Sequence, residues 1–177
     1  MLEAARIADA EGLEEVTLAR LAKELGVRAP SLYNHVDGRA GLLRRLSILS
    51  LGELTEAMRD AAVGRSGADA LQAIAYAYRA WARAHRGRYA VTVSAPDPGD
   101  EELAAVAARA IEVLVAVLAA WGFQGEEVLH RVRVIRSALH GFVAIEGAGG
   151  FGLPLDLDQS FDLLLATLVA GMERRPS

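Results

Sequence analysis

The 177-residue chain contains no cysteine, which excludes disulfide bonds and thiolate metal ligands. Its N-terminus has no apolar secretory core, because Glu3, Arg6 and Asp9 interrupt the first turns. The longest apolar run, residues 110–121, includes Glu112. This run is shorter than the roughly 20 residues that a helix needs to span a bilayer. We therefore expect a cytoplasmic protein.

The motifs of common enzyme classes are also absent. The chain has no HExxH zinc motif, no phosphate-binding loop and no nucleophile elbow. Glu127 and His130 have the Glu-x-x-His spacing of di-iron bundles, but such a site needs a second pair and further inward-facing carboxylates, which we do not find. We expect no catalytic residue, no metal site and no cofactor. A helical-bundle enzyme is the least favoured alternative.

Apolar residues recur at helical spacing along nearly the whole chain. Hydrophobic residues make up 53% of it, enough for a substantial core and for apolar surface buried between subunits. Glycine- and proline-containing breaks, as at residues 64–67 and 95–99, separate about nine helical segments. Residues 89–93 are β-branched enough for a strand but would have no partner. The sequence therefore predicts an all-α fold.

The stretch from Thr17 to Leu43 has the pattern of two short helices joined by a turn. Thr17 can cap the first helix, and Gly26 supplies the turn that ends it. The second helix is predicted over residues 29–36 and is crowded with groups that can touch nucleic acid. This is a helix-turn-helix pattern, which is typical of DNA-binding proteins.

The charge distribution is compatible with this interpretation. The whole chain has a formal net charge of −4, which by itself disfavours a nucleic-acid partner. Residues 17–45, however, contain six basic and two acidic side chains, a local net charge of +4. Screening removes the influence of charges beyond roughly 8–10 Å, so the local charge decides the attraction to phosphates.

The N-terminal region resembles that of the tetracycline-repressor (TetR) family over about 45 residues. The matching residues are Ala-Glu-Gly at 10–12, Val-Thr-Leu at 16–18, Leu-Ala at 21–22, Leu-Gly-Val at 25–27, Ala-Pro-Ser-Leu-Tyr-Asn-His-Val at 29–36, Arg39 and Leu42-Leu43. Farther along, Trp81 and the stretch from His140 to Phe142 resemble a subgroup named for a tryptophan and a His-Gly pair.

The resemblance implies a three-helix DNA-binding domain at residues 1–45 and a helical ligand-binding and dimerisation domain at residues 46–177. It also implies a homodimeric repressor that binds a pseudo-palindromic operator in double-stranded DNA and is released by a small-molecule effector. Family members usually have several residues, often basic, ahead of the first helix, whereas Met1 already lies inside it. We expect either a shortened arm or a start site farther upstream.

Ten residues are candidates for contact with DNA. Base readers are expected where the second helix enters the major groove, namely Arg28, Ala29, Pro30, Ser31 and Asn34. Phosphate contacts are expected from Thr17, Arg20, Tyr33, His35 and Arg39. The alternatives are a solvated surface charge for Arg28 and a core aromatic for Tyr33. A helical interaction module that has lost DNA binding also stays open, although it would have no need for Tyr33, His35 and Arg39 at its surface.

Aromatic and polar residues of the C-terminal region are candidates for an effector pocket. They are Tyr78, Trp81, His85, Trp121, Phe123, Arg133 and His140. Aromatic residues at helical spacing also build ordinary cores, and this is the alternative for each of them. Dimer contacts are expected from the helices at about residues 126–145 and 158–173, where Ala138, Gly141 and Ala144 form a row of small residues. That row could instead pack against a helix of its own chain.

Overall fold

The structure is a computed structural model that describes residues 1–173. Over this range it contains nine α-helices and no β-strand. The helices are α1 (Leu2–Glu11), α2 (Leu18–Leu25), α3 (Ala29–Tyr33), α4 (Gly38–Ala62), α5 (Gly67–Ala84), α6 (Arg86–Tyr89), α7 (Glu101–Leu118), α8 (Gly125–Gly147) and α9 (Leu157–Glu173). Single 3₁₀ turns occur at Leu13–Glu15, Ala90–Thr92 and Ala119–Trp121. The prediction of an all-α fold is confirmed.

Capping residues set the bounds of α2. The hydroxyl oxygen of Thr17 accepts a hydrogen bond from the backbone N–H of Arg20 at 3.1 Å, which satisfies one of the free donors at the start of the helix. Gly26 follows the last turn with a φ of 65°, a left-handed conformation that glycine adopts at little cost. The helix therefore begins and ends where the sequence predicts.

The second helix of the pair is shorter than predicted. α3 ends at Tyr33, whereas the sequence indicates a helix as far as residue 36. The backbone N–H groups of His35 and Val36 both donate to the carbonyl of Leu32, at 2.9 and 3.1 Å. This sharing of one acceptor forms a tight turn, so the chain leaves the helix early and reaches α4.

The chain forms two compact units. The first comprises Met1–Leu54 and Ala84–Ala110, and the second comprises Thr55–Arg83 and the chain from Ile111 onward. Both α4 and α7 contribute residues to each unit. The sequence analysis placed the boundary between the DNA-binding domain and the ligand-binding domain at residues 45 and 46. That boundary stays a prediction.

The core of the first unit holds the helix-turn-helix in place. It is built from α1, α2 and the start of α4, with the buried side chains Ala4, Ala5, Ile7, Ala8, Val16, Leu18, Leu21, Leu42 and Leu46. Leu32 of α3 packs against this cluster, and so does Val91 from the 3₁₀ turn after α6. A segment distant in sequence therefore stabilises the helix-turn-helix.

The core of the second unit includes the ring of Phe161. This residue of α9 is fully buried, and its ring centroid lies 4.9 Å from that of Phe142 on α8 and 5.4 Å from that of Tyr76 on α5. The guanidinium of Arg79 lies 4.7 Å from the Phe161 ring centroid. Three helices thus meet around one aromatic cluster with a cation in it.

The length of α7 differs from what the sequence analysis assumed about a possible membrane span. α7 with its following turn, Glu101–Trp121, is long and apolar enough to cross a bilayer by length and composition. The expectation drawn from residues 110–121 was therefore wrong on length. Arg109 and Glu112 are exposed near the middle of this helix, where charges are costly in lipid, while Leu118 is fully buried in the protein. Only 17% of this apolar window is buried within the single chain, and length and composition alone are weak evidence for a span.

Candidate nucleic-acid interface

The ten candidate DNA residues all lie in the first unit, and most of them are exposed. The exposed ones are Arg28, Pro30, Ser31, Tyr33, Asn34, His35 and Arg39, while Thr17, Arg20 and Ala29 are half-buried. Leu18 and Leu21 on the opposite side of α2 are buried in the core. The helix-turn-helix is thus anchored by one side and presents the other to solvent.

Arg28 stands at the start of α3 with its side chain available to a ligand. The residue is the N-cap, its backbone is extended, and Pro30 occupies the first turn. Its carbonyl accepts hydrogen bonds from the N–H and the hydroxyl of Ser31, at 3.0 and 2.7 Å. Within residues 1–173 no carboxylate lies at ion-pair distance from its guanidinium. The N–H donors of the Arg28 guanidinium are therefore available to bind a guanine edge or a phosphate.

Tyr33 is a surface residue. It ends α3 with a fractional residue exposure of 61%, which excludes the alternative of a core aromatic. Asn34 and His35 follow it and are exposed as well. Three hydrogen-bonding side chains therefore lie in succession at the end of α3.

Arg39 is held near the start of α4 and is still accessible. Its Nη2 donates to the carbonyl of Leu13 at 3.1 Å and lies 3.3 Å from a carboxylate oxygen of Glu14. Both side chains of this ion pair are exposed, so the pair is weak. A phosphate could replace Glu14 while the bond to the Leu13 carbonyl keeps the guanidinium in place.

We expect Glu14→Gln to strengthen binding to all DNA sequences by about 2- to 5-fold, because the substitution removes an exposed carboxylate that competes with phosphate for Arg39. Fluorescence titrations against two unrelated duplexes at one salt concentration would measure this. Glu112→Gln, an exposed carboxylate on α7, is the matched control and should change neither affinity. An unchanged or lower affinity of Glu14→Gln would remove Arg39 from the interface.

Arg20 is bound within the protein. Its guanidinium forms ion pairs with Glu11, at 2.7 Å, and with Glu24 one turn along α2. Hydrogen bonds to these two carboxylates raise the pKa of Arg20, and the bond from Arg20 lowers the pKa of Glu24. The residue ties α1 to α2. A role in phosphate binding would require an anion to compete with both carboxylates.

The local charge of +4 counted along residues 17–45 overstates the positive charge at the surface. Arg44 forms hydrogen bonds of 2.6 Å with both carboxylate oxygens of Asp100 and a 2.9 Å ion pair with Glu102. These bonds raise the pKa of Arg44 and lower that of Asp100. Glu11 from outside the window therefore pairs with Arg20, and Asp100 and Glu102 pair with Arg44. Lys23, Arg28, Arg39 and Arg45 are left to attract phosphates.

The candidate effector residues are divided between the two units. Tyr78, Trp81 and Phe123 are buried in the second unit, Trp121 and His140 are half-buried there, and Arg133 is exposed on α8. His85 belongs to the first unit, where its Nδ1 lies 2.9 Å from a carboxylate oxygen of Asp9. Phe123 lies against the guanidinium of Arg131, 4.5 Å from the ring centroid. The assignment of these residues to a pocket stays a prediction.

Sequence reasoning missed two buried arginines. Arg79 in α5 and Arg88 in α6 are both buried and are held by carboxylates from distant parts of the chain. The only available signal was a charged residue between apolar neighbours, as in Tyr78-Arg79-Ala80-Trp81. That signal does not identify the partner, because an ion pair between distant segments leaves no periodic pattern.

Two short helices joined by a glycine turn, with Arg28 exposed at the start of the second helix and a small helical core behind them, define a helix-turn-helix DNA-binding module. Family comparison agrees with this. The family described as bacterial regulatory proteins, tetR family, matches residues 2–46, and the tetracyclin repressor-like C-terminal domain matches residues 71–168. The chain belongs to the TetR family of transcriptional regulators and is a DNA-binding regulator, not an enzyme.

Similar proteins carry corresponding names. The HTH-type transcriptional regulator Rv0681 of Mycobacterium tuberculosis is 38% identical over 168 residues, which cover 94% of this chain and 77% of that protein. The HTH-type transcriptional regulator YobS of Bacillus subtilis is 31% identical over 170 residues, or 96% and 88% of the two chains. The crystal structure of TetR-Q116A from Acinetobacter baumannii in complex with minocycline shares the fold, with a TM-score of 0.76 and 23% identity over 99% of this chain and 96% of that one. Membership of the Trp/His-Gly subgroup stays a prediction.

Proposed function

We propose that the protein is a ligand-responsive repressor. It binds a pseudo-palindromic operator as a homodimer and leaves the operator when a small molecule binds its C-terminal domain. The observation that carries the proposal is the exposed helix-turn-helix, in which Arg28 at the start of α3 forms no ion pair with a carboxylate of residues 1–173. A DNA-bound regulator of this kind would work in the cytoplasm.

We assign different tasks to the exposed residues of the interface. Arg28 and Asn34 are proposed to read base edges in the major groove, with Ala29, Pro30 and Ser31 close to them. Tyr33, His35 and Arg39 are proposed to contact phosphates, which positions the helix but reads no sequence. Thr17 could join them, because its hydroxyl accepts the cap hydrogen bond and still has its own hydrogen to donate.

The exposed faces of α8 and α9 support a homodimer. On α9, Ser160, Leu163, Thr167 and Ala170 recur at spacings of three and four residues and are not buried within the chain. On α8, Val134 and Ile145 are about half exposed, and Ala144 is exposed between them. Apolar helix faces of this kind favour burial against a second subunit. Two helices from each chain would form a four-helix interface.

The effector is proposed to bind among the aromatic residues of the second unit. Tyr78, Trp81 and Phe123 provide apolar walls, and His140 is a half-buried polar group in the same unit. A thermal-shift screen against a library of small aromatic and aliphatic compounds would test this. A hit should raise the melting temperature and release the protein from its operator. Hits that stabilise the protein without any effect on DNA binding would contradict the regulatory role.

Two substitutions separate base reading from phosphate contact. Arg39→Ala should weaken binding to all duplexes about equally and reduce the salt slope by about 2, because one phosphate per subunit, or two per dimer, is no longer neutralised. Arg28→Ala should weaken operator binding by about 1–3 kcal/mol for each half-site and relax the preference at one base position in both. Selection from a random-sequence duplex pool, followed by titration of the selected and scrambled duplexes, measures both effects. A selected sequence that is unchanged by Arg28→Ala would contradict its role as a reader.

A further inference from the structure

The loop between α8 and α9 contains no polar side chain over eight residues. Residues 148–155 are Ala-Gly-Gly-Phe-Gly-Leu-Pro-Leu, and none of these side chains carries a charge or can form a hydrogen bond. Leu153 and Leu155 are 74% and 69% exposed, and Phe151 is exposed as well. Contiguous apolar surface of this kind marks a site of association.

The loop is held at both of its ends. Gly149, just after the end of α8, has a φ of 69°, the left-handed conformation that commonly terminates a helix. At the other end, a carboxylate oxygen of Asp156 accepts a hydrogen bond from the backbone N–H of Asp158 at 2.8 Å and caps α9. Between them, the ring centroid of Phe151 lies 5.0 Å from that of Phe142. The two leucines are therefore presented to solvent by an ordered segment.

The apolar surface of the loop continues the exposed face of α8. The backbone N–H of Gly150 donates to the carbonyl of Ile145 at 2.8 Å. A Cβ atom on Gly150 would lie only 2.8 Å from Cγ2 of Ile145, so the loop backbone lies directly against this side chain. Ile145 is itself 46% exposed and belongs to the face of α8 that we propose for the homodimer. The loop and that face thus form one surface.

The helices alone offer few large apolar groups to a second subunit. The buried centre of a homodimer interface is more apolar than the rest of a protein surface. On α8 and α9 the large exposed apolar side chains are Leu129, Val134, Ile145 and Leu163. The remaining members of the α9 face, Ser160, Thr167 and Ala170, are small. The loop adds three large apolar side chains to this surface, and these supply apolar area that a stable dimer needs.

We propose that the α8–α9 loop, residues 148–155, docks on a second copy of this chain and forms part of the dimer interface. The proposal rests on the proposed function, because it assigns a further element to the homodimer. A nucleic acid or a charged peptide would find no charge and no hydrogen-bonding side chain on this loop. A second copy presents an equally apolar surface, because a two-fold interface uses the same patch of both subunits. Burial of the leucines there removes apolar area from water.

The first test combines Leu153→Asn with Leu155→Asn in the full chain. Analytical ultracentrifugation over a range of protein concentrations should show a dimer dissociation constant at least 10-fold higher than that of the wild type. The matched control is Leu2→Asn on α1, where a leucine of the first unit is 75% exposed and the constant should stay unchanged. A constant within 2-fold of wild type in the loop variant would overturn the proposal and leave the homodimer intact. A wild-type chain that is monomeric at every concentration would refute the homodimer, and the loop proposal with it.

A second readout locates the contact at the loop. The chain contains no cysteine, so Leu153→Cys introduces a single thiol. Its alkylation by a maleimide should be at least 5-fold slower above the dimer dissociation constant than below it. Val63→Cys, at a position that is 72% exposed just after α4, should react at the same rate under both conditions. Equal rates for Leu153→Cys would overturn the proposal.

A lipid surface is the competing occupant. Vesicles of neutral phosphatidylcholine are the probe, because the loop carries no charge that would favour an anionic lipid. The wild-type dimer should stay in the supernatant when the vesicles are sedimented. Sedimentation with the vesicles that is lost in the Leu153→Asn and Leu155→Asn variant, while its dimerisation is unchanged, would assign the loop to lipid and overturn the proposal.

Discussion

Leu163→Arg is expected to convert the proposed dimer into a monomer and to weaken operator binding by about 100-fold or more. Leu163 lies on the exposed face of α9 with 69% of its side chain accessible in the single chain, so an arginine there does not disturb the core. In the proposed four-helix interface the same charge would be desolvated without a partner. The weaker binding follows because two linked half-site contacts gain about 10²–10⁴ in avidity over one.

Analytical ultracentrifugation and titration against the selected duplex measure the two effects together. Val63→Arg is the matched control, because Val63 is 72% exposed just after the end of α4 and lies outside α8 and α9. It should leave both the mass and the affinity unchanged. A Leu163→Arg protein that sediments as a dimer would contradict the assignment of α9 to the interface.

Arg79→Met should be the most destabilising of the substitutions considered for the second unit, at about 3–5 kcal/mol. Only 5% of the Arg79 side chain is exposed, and its Nη2 and Nε lie 2.6 and 2.9 Å from the two carboxylate oxygens of Glu146. Hydrogen bonds from Arg79 lower the pKa of Glu146, so this carboxylate is ionised in the folded protein. Removal of the guanidinium takes both short hydrogen bonds from the buried Glu146 carboxylate and leaves it only the half-exposed Arg83 at 3.8 Å. It also removes the cation that lies against the rings of Phe142 and Phe161.

Urea unfolding at neutral pH gives the change in the free energy of unfolding. The control is Arg83→Met, one turn further along α5, whose half-exposed side chain lies 3.8 Å from the same Glu146. It should cost less than about 1 kcal/mol, as an exposed ion pair does. Arg79→Met combined with Glu146→Gln should recover part of the stability, because the double substitution leaves no buried charge without its partner. No recovery in the double variant would mean that the aromatic contacts of Arg79, not its ion pair, dominate.

The predictable part of this fold is local. Thr17 and Gly26 set the bounds of α2 through capping and backbone conformation, and both signals depend on residues within one turn. The succession Tyr33-Asn34-His35 was identified at the interface by its chemistry, and its exposure agrees with that interpretation. The short α3 was missed because a single shared carbonyl, that of Leu32, decides where it ends.

The unpredictable part depends on residues far apart in sequence. Arg44 and Asp100 are separated by 56 residues, and Asp9 and Arg88 by 79. Periodicity identifies the buried face of a helix but not the residue that meets it. The role of Gly87 could not be predicted for the same reason. In the sequence this glycine indicates only a possible helix break, whereas in the structure it lies at the contact of α6 with α1. The effector residues were even less predictable, because aromatic spacing is the same in a core and in a pocket.

The most direct test of DNA binding by this surface is a titration of the full chain against its selected duplex at 50 and 200 mM salt. About three basic side chains from each subunit should contact phosphates, and six such contacts predict a fall in affinity of about 10³-fold between the two conditions. The selected duplex should also bind much more tightly than a scrambled one at both concentrations. Absence of binding at 50 mM salt, or an affinity indifferent to salt, would contradict the identification of this surface as a DNA-binding interface.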